Sequence, residues 1–382
     1  MAARRLAWCL SCGVAFWLLA CREQPTLPNA SLSVAENLRG DDDRGYSKAL
    51  APREFVFPRD HGPHPDFRTE WWYFTGNLGT PESQRFGFQL TFFRSALAPD
   101  MPARTSAWAT RQVYLAHFTV TDVAAKRFMA FERWGRGALG LAGAQEDPFH
   151  VWTGDWSATE LTGGTFPLRL RAAQGDTAID LVVQEGKPPV LQGDGGLSRK
   201  SAEPGNASYY YSLPRMPTSG SLRVNGRGFT VTGAAWMDRE WSTSSLGKDQ
   251  VGWDWFALQL DDGHEVMLYQ LRKRDGTVDP ASSGSLIDAS ASRPLGANDF
   301  SITALGRWRS PRSGAVYPAR WRLRVPGEGL DLEVTPLLAD QEQNLSFRYW
   351  EGAVAVRGTR QGRAVSGRGY AELTGYAEAA PR

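Results

Sequence analysis

Apolar and polar residues alternate along most of this chain, and the three-to-four-residue spacing of an amphipathic helix is nearly absent. From Gln112 to Asp122, Tyr114, Ala116, Phe118 and Val120 share one face, the two-residue period of a strand. An aromatic run at residues 70–75 is closed by Gly76 and Asn77. A second run at 86–93 follows a turn at 80–83, and the two predict a hairpin. Residues 253–260, a tight turn at Asp262–Gly263 and a return at 265–271 predict another. Four further strands are expected at 320–325, 330–335, 353–358 and 367–374. The one helix the pattern suggests is short, marked by Leu337, Leu338, Gln341 and Leu345. Short strands separated by glycine-rich turns predict an all-β protein of barrels or sandwiches.

Composition sharpens this picture. The 382 residues include 15 Trp, 40 Gly and 23 Pro, the aromatic and turn-forming bias of β-structure. At about 150 residues per domain the length suits two or three domains. Aromatic landmarks at 70–73 and 253–256 suggest two halves, joined between residues 211 and 246, where Pro214, Pro217, Ser219 and Gly220 mark a loop. We expect an N-terminal domain over 51–245 and a C-terminal one over 246–378. The 43 Lys and Arg against 41 Asp and Glu lack the excess positive charge that nucleic-acid binding needs. No apolar run after residue 20 approaches the roughly 20 residues of a membrane-spanning helix.

The N-terminus reads as an export signal. Arg4 and Arg5 precede a mostly apolar stretch from Leu6 to Leu19, and Leu18-Leu19-Ala20-Cys21 follows. That run resembles a bacterial lipoprotein processing site, which implies cleavage before Cys21 and its lipidation; an ordinary signal peptide is the alternative. Arg22 resembles the residue that accompanies release to the outer membrane, so the expected location is the periplasmic face of that membrane. Residues 21–50 are expected to be a tether, with Pro25, Pro28 and the run Asp41-Asp42-Asp43. Cys9 and Cys12 fall in the signal, so the mature chain keeps only Cys21 and has no thiol for a disulfide, a zinc site or nucleophilic catalysis.

Ordered blocks along the rest of the chain carry a family resemblance. They are Asp60-His61-Gly62-Pro63-His64 with Glu70-Trp71-Trp72-Tyr73-Phe74-Thr75-Gly76; Gly233-Ala234-Ala235-Trp236-Met237-Asp238-Arg239-Glu240-Trp241; Trp253-Asp254-Trp255-Phe256 with Gln259-Leu260-Asp261-Asp262-Gly263; and Tyr349-Trp350-Glu351-Gly352 with Gly369-Tyr370-Ala371-Glu372-Leu373-Thr374-Gly375-Tyr376. Together they resemble the AttH/carotenoid 1,2-hydratase family, in its secreted or lipoprotein branch. The resemblance implies two lipocalin-like (calycin) antiparallel β-domains packed together around an apolar cavity. It also implies hydratase and cyclase relatives that work without a cofactor. The enzymes tend to carry a His-Asp-x-Asn-Trp-Gly-like run where this chain has residues 237–242; Asp238 and Trp241 match, whereas the histidine and asparagine do not.

Hydrating or cyclising an unactivated double bond needs a strong acid and shelter for a carbocation. A carboxylic acid in apolar surroundings is pushed toward its protonated form, and aromatic faces stabilise a cation by roughly 0.5–2 kcal/mol each. Asp238 is the first candidate acid, followed by Glu240 and Glu70, with Tyr269 as a phenol alternative. In an extended strand, Trp236, Asp238 and Glu240 share one face and Arg239 and Trp241 the other. The opposing reading makes Asp-Arg-Glu an internal ion network, with Asp238 paired to Arg239 or another arginine. Glu70 is equally readable as a buried acid at the cavity or as a strand-pairing residue. Trp72, His117, Trp241, Trp253 and Trp255 are the candidate ligand-binding side chains, although His117 also fits a satisfied core position. His61, His64 and His117 with Asp60 and Asp66 match no zinc spacing, and we expect no metal. Ser242, Ser244 and Ser245 lie near Asp238 without a Gly-x-Ser-x-Gly elbow, which leaves a hydrolase as a minor option.

Two function classes follow. In one, an envelope lipoprotein binds an isoprenoid, polyketide or lipid-like ligand, with an envelope transporter as a further candidate partner. In the other, a cofactor-independent hydratase, isomerase or cyclase acts on such a ligand by acid catalysis. Carbohydrate binding by the tryptophans is a minor alternative.

Overall fold

The computed structural model describes residues 43–100, 105–244 and 246–376. The expected signal, Cys21 and most of the tether lie outside these residues. Ten strands build the site: β1 (Thr69–Gly79), β2 (Arg85–Ala96), β3 (Gln112–Asp122), β4 (Arg127–Arg136), β5 (Ala207–Val224), β6 (Arg227–Ser242), β7 (Gln250–Leu260), β8 (Glu265–Lys273), β9 (Arg348–Arg360) and β10 (Arg363–Leu373).

The fold is all-β, with two curled antiparallel sheets. A 13-stranded sheet runs β4-β3-β2-β1-β6-β5 and on through shorter strands, and a 10-stranded sheet contains β8-β7-β10-β9. The chain passes from the first sheet to the second between Ser242 and Gln250. Both expected hairpins form, β1 with β2 and β7 with β8. The expected helix does not. Residues 337–345 form an irregular segment ending in a three-residue strand, Glu342–Asn344. There Gln341 is fully buried, and its amide donates to the Leu338 and Ala353 carbonyls, pinning the backbone in a non-helical course.

Each sheet encloses its own apolar core. Phe74, Phe88, Leu90, Phe118, Trp156 and Trp241 belong to the first, and Phe256, Leu258, Trp321, Leu332 and Trp350 to the second. A third cluster, including Tyr73, Tyr210, Trp236, Trp255, Tyr269 and Tyr370, draws on both sheets. Polar bonds stitch the same seam. Asn77 donates to the Gly369 carbonyl at 2.9 Å, Thr121 to Gln341 at 2.7 Å and Gln343 to Gln89 at 2.8 Å. Buried pairs of this kind fix register, because an unmatched amide there would cost about 1–3 kcal/mol.

The last part of the expected tether is not loose. The Ser47 amide donates to the Asp66 carbonyl at 2.9 Å, and Ala49 is buried in the first core. Small residues with an available backbone are enough to seat this segment, which a reading by composition overlooks.

Candidate functional site

Between the sheets lies a cavity of about 570 Å³. Its walls come from β1, β2, β3, β6, β7, β8 and β10, with Tyr210 of β5 and Tyr349 of β9. Strand alternation decides which side chains reach it. Across β1 and β6, Glu70 lies opposite Trp241, Trp71 opposite Glu240, Trp72 opposite Arg239 and Tyr73 opposite Asp238. Directly opposed residues share a face. Trp71, Tyr73, Asp238 and Glu240 therefore line the cavity, whereas Trp72, Arg239 and Trp241 turn toward the N-terminal core.

Asp238 is buried and accepts three hydrogen bonds from neutral groups: Tyr210 Oη at 2.5 Å, Ser212 Oγ at 2.6 Å and Trp236 Nε1 at 2.7 Å. Burial pushes its carboxyl up to about 7, against the pull of these three donors, and the Glu240 carboxylate adds to the rise. None of the ion pairs among the described residues includes Asp238. The expected alternative, Asp238 paired with Arg239, is overturned by alternation: Arg239 leaves from the other face. Glu240 behaves differently. It accepts from Ser208 Oγ and lies 3.1 Å from Lys200 Nζ. Burial works against the Lys200 charge, but Glu240, Tyr269 and Asp238 together outweigh it and raise Lys200 above its usual range. The same ammonium sits 4.5 Å from the Tyr269 ring centroid. Tyr269 lines the cavity, and its hydroxyl is held by Ser198 at 2.9 Å and Ser283 at 3.0 Å.

Glu70 borders the cavity, but its oxygens are taken by Arg94 and Arg239 and by the His64 amide. Burial would raise its carboxyl, yet the two guanidinium groups hold it well below its usual range. It is an ion-network residue, and as such no proton donor. Arg239 also lies 3.9 Å from the Trp72 ring centroid, and Trp241 stacks on His64 with ring centroids 3.7 Å apart. The expectation that Trp72 and Trp241 line the cavity is corrected by this placement: both are fully buried in the first core.

His117, Trp253 and Trp255 do line the cavity. His117 Nδ1 is 2.7 Å from the Tyr349 hydroxyl, and its Nε2 makes no hydrogen bond to any described residue. Burial lowers it to about 3, so the ring is neutral, and its Nε2 is enclosed with a Glu132 carboxylate oxygen 3.9 Å away. His61 instead bonds Tyr211 at 2.6 Å outside the cavity. Among the described residues no three metal-binding side chains cluster.

Two acids missed in the sequence reading complete the wall. Glu372 of β10 lines the cavity and accepts from Trp253 Nε1 at 2.5 Å. Directly opposite on β9 is Glu351, which accepts from Tyr73 Oη at 2.7 Å. Burial raises both carboxyls, Glu372 to about 7 and Glu351 well above its ordinary range. The two carboxyls come from opposed strand positions, and the charge on Glu372 adds to the rise that burial gives Glu351. The available signal was a glutamate in each of two otherwise apolar strand motifs, 349–352 and 369–376. Lys200 left no signal, being one polar residue in a loop.

Comparison with known proteins follows the same lines. A crystal structure at 2.00 Å resolution of a Nitrosomonas europaea protein described as an AttH is 37% identical, with 86% of this chain and 100% of that one covered and a TM-score of 0.76. Kievitone hydratase from Nectria haematococca shares the fold at 15% identity, with 86% and 95% covered and a TM-score of 0.67. CghA, solved with Sch210972, shares it at 13% identity, with 88% and 98% covered and a TM-score of 0.52. A search of curated proteins finds no match. The AttH-like family model matches residues 48–376, and the chain belongs to that family.

Proposed function

We propose that this protein binds an apolar, unsaturated ligand of isoprenoid, polyketide or lipid-like chemistry between its sheets and transforms it by carboxylic-acid catalysis. One observation carries the reading: Asp238 lines an aromatic cavity, carries a carboxyl raised to about 7, and is held by neutral donors alone. A site that only binds grease has no use for an uncompensated buried acid, which destabilises the fold once it ionises.

The chemistry balances without a cofactor. Protonated Asp238 gives its proton to one alkene carbon, and the other carbon becomes a cation. Trp253, Trp255 and Tyr73 present π-faces or edges around it. In hydration, water bonds to the cation and its surplus proton passes to a carboxylate, Glu372 or Asp238 itself. In isomerisation or cyclisation, a carbon-bound proton leaves to the same base. That one fold relative is a hydratase supports the first outcome. His117, a neutral ring in the cavity wall, suits the role of positioning the Tyr349 hydroxyl there. The Leu18-Leu19-Ala20-Cys21 run supports a lipid-anchored place in the cell envelope.

The test uses an envelope lipid extract in heavy water. Wild-type protein should yield a product with carbon-bound deuterium, and Asp238→Asn should yield it at least about 10²-fold more slowly. Saturable quenching of tryptophan emission by a long-chain isoprenoid, without any deuterated product, would reduce the protein to a binder.

A further inference from the structure

The cavity opens at one end of the first sheet, and that end is unusually apolar on its outside. The strand register brings the start of β1, the end of β2, the start of β3 and the end of β4 together: Thr69 pairs with Ser95, Ala96 with Gln112, and Val113 with Arg136. The segments leaving these ends carry Leu97, Trp108 and Leu139, which are 64%, 54% and 56% exposed, and Trp134 near the end of β4 is 49% exposed. Leu97 and Trp134 also line the cavity, so the outer patch is continuous with the inner one. The Leu97 amide donates to the Arg111 carbonyl at 2.7 Å, and Arg136 donates to the Trp108 carbonyl at 3.1 Å, which fixes these loops to one another. Scattered exposed leucines need no explanation, but two large apolar side chains at a ligand entrance with two more on the adjoining loops do.

The surrounding charge is mixed, with arginine in excess. Arg44, Arg68, Arg111 and Arg136 stand on the same segments, against Asp66, Asp100 and an Asp43 already paired with Lys48. Tryptophan and leucine within an arginine rim match an anionic bilayer surface, where indoles sit at the headgroup level and guanidinium groups meet phosphates. The described residues begin at Asp43, and Arg44 and Tyr46 line the mouth. By chain length alone, an anchor at the expected Cys21 would lie at most about 75 Å from Asp43.

We infer that the cavity mouth docks on an anionic phospholipid surface through Leu97, Trp108, Trp134 and Leu139, so that the ligand enters from the bilayer and not from water. This deepens the proposed function, on which the ligand's entry rests, while the docking itself stands apart from it. The ligand class narrows accordingly to molecules resident in the acyl-chain region.

The experiment is flotation of the chain from Arg22 onward, which carries neither the apolar export signal nor an acylated Cys21. Vesicles of phosphatidylethanolamine and phosphatidylglycerol, with some acyl chains dibrominated, are compared with pure phosphatidylcholine. Expected results are co-flotation with the anionic vesicles and bromine quenching that diminishes in Trp108→Phe. In Leu97→Ser/Trp108→Ser/Leu139→Ser, binding should weaken by about tenfold or more. These side chains are exposed, so the variant should melt as the parent does, and Val278→Ser with Leu305→Ser, remote apolar changes, should leave flotation intact. Unchanged flotation of the triple variant overturns the inference, as does no flotation at all. A concentration-dependent dimer abolished by the triple change, without flotation, overturns it in favour of a second copy as occupant. Saturable isoprenoid quenching in vesicle-free solution reports on the cavity separately, so a failed docking leaves the proposed function standing.

Discussion

The ribbon of β1 and β6 carries three carboxylates within a few residues, and its two faces treat them differently. On the core face, Glu70 meets Arg94 and Arg239, with Trp72 and Trp241 packed around the guanidinium. On the cavity face, Asp238 meets a phenol, a hydroxyl and an indole. Burial is nearly the same for both, so the partner decides the outcome. Cations hold Glu70 ionised; neutral donors cannot stop desolvation from raising Asp238. Glu240, on the same face two residues from Asp238, pairs with Lys200.

The largest effect should come from breaking the core side. Glu70→Gln leaves two arginines buried without a counter-charge and should destabilise the fold by roughly 3–5 kcal/mol, read by urea denaturation. A variant as stable as wild type would erase the difference between the faces. Next is Asp238→Asn. Its turnover should fall as above, while its stability at about pH 8 should rise, because keeping Asp238 ionised there costs up to roughly 4 kcal/mol. Early melting of this variant would make Asp238 structural.

The pH dependence of stability sharpens the contrast. For Asp238 and Glu372 the folded values lie above the ordinary ones, so their contribution is fully present below about pH 4 and lost as pH rises through about 7. Glu70 lies below its ordinary value of 4.5, so its contribution is present above that pH and lost on acidification through its depressed value. Urea midpoints should therefore peak at mildly acidic pH and decline toward pH 8; a steady rise between about pH 5 and 8 would contradict the assignment. The smallest effect separates the tryptophans. Trp255→Ala should weaken isoprenoid quenching by about tenfold, whereas Trp72→Phe should leave affinity unchanged.

Much of this fold was legible in the chain. Period-two alternation located β3 to the residue, and the tight turn at Asp262–Gly263 located the β7–β8 hairpin. Alternation also separated Trp236, Asp238 and Glu240 from Arg239 and Trp241. What alternation cannot state is which face looks at which partner, because a strand packed on both sides is apolar on both. The sequence therefore points to Trp72, whereas it is Trp71 that lines the cavity. Glu351 and Glu372 become an acid pair only when β9 and β10 zip in register, and Lys200 reaches Glu240 only through the packing of a distant loop. Those contacts are long-range, and a local pattern carries no trace of them.

The central claim is that Asp238 is a protonated acid near neutral pH while Glu70 is not. Infrared difference titration of the carboxyl C=O stretch tests it most directly, comparing wild type with Asp238→Asn. The account predicts a band from a protonated, buried carboxyl that fades as pH rises through about 7 and is diminished in the variant by one group. Complete ionisation of every carboxyl by about pH 5, with identical titrations of the two proteins, would contradict it.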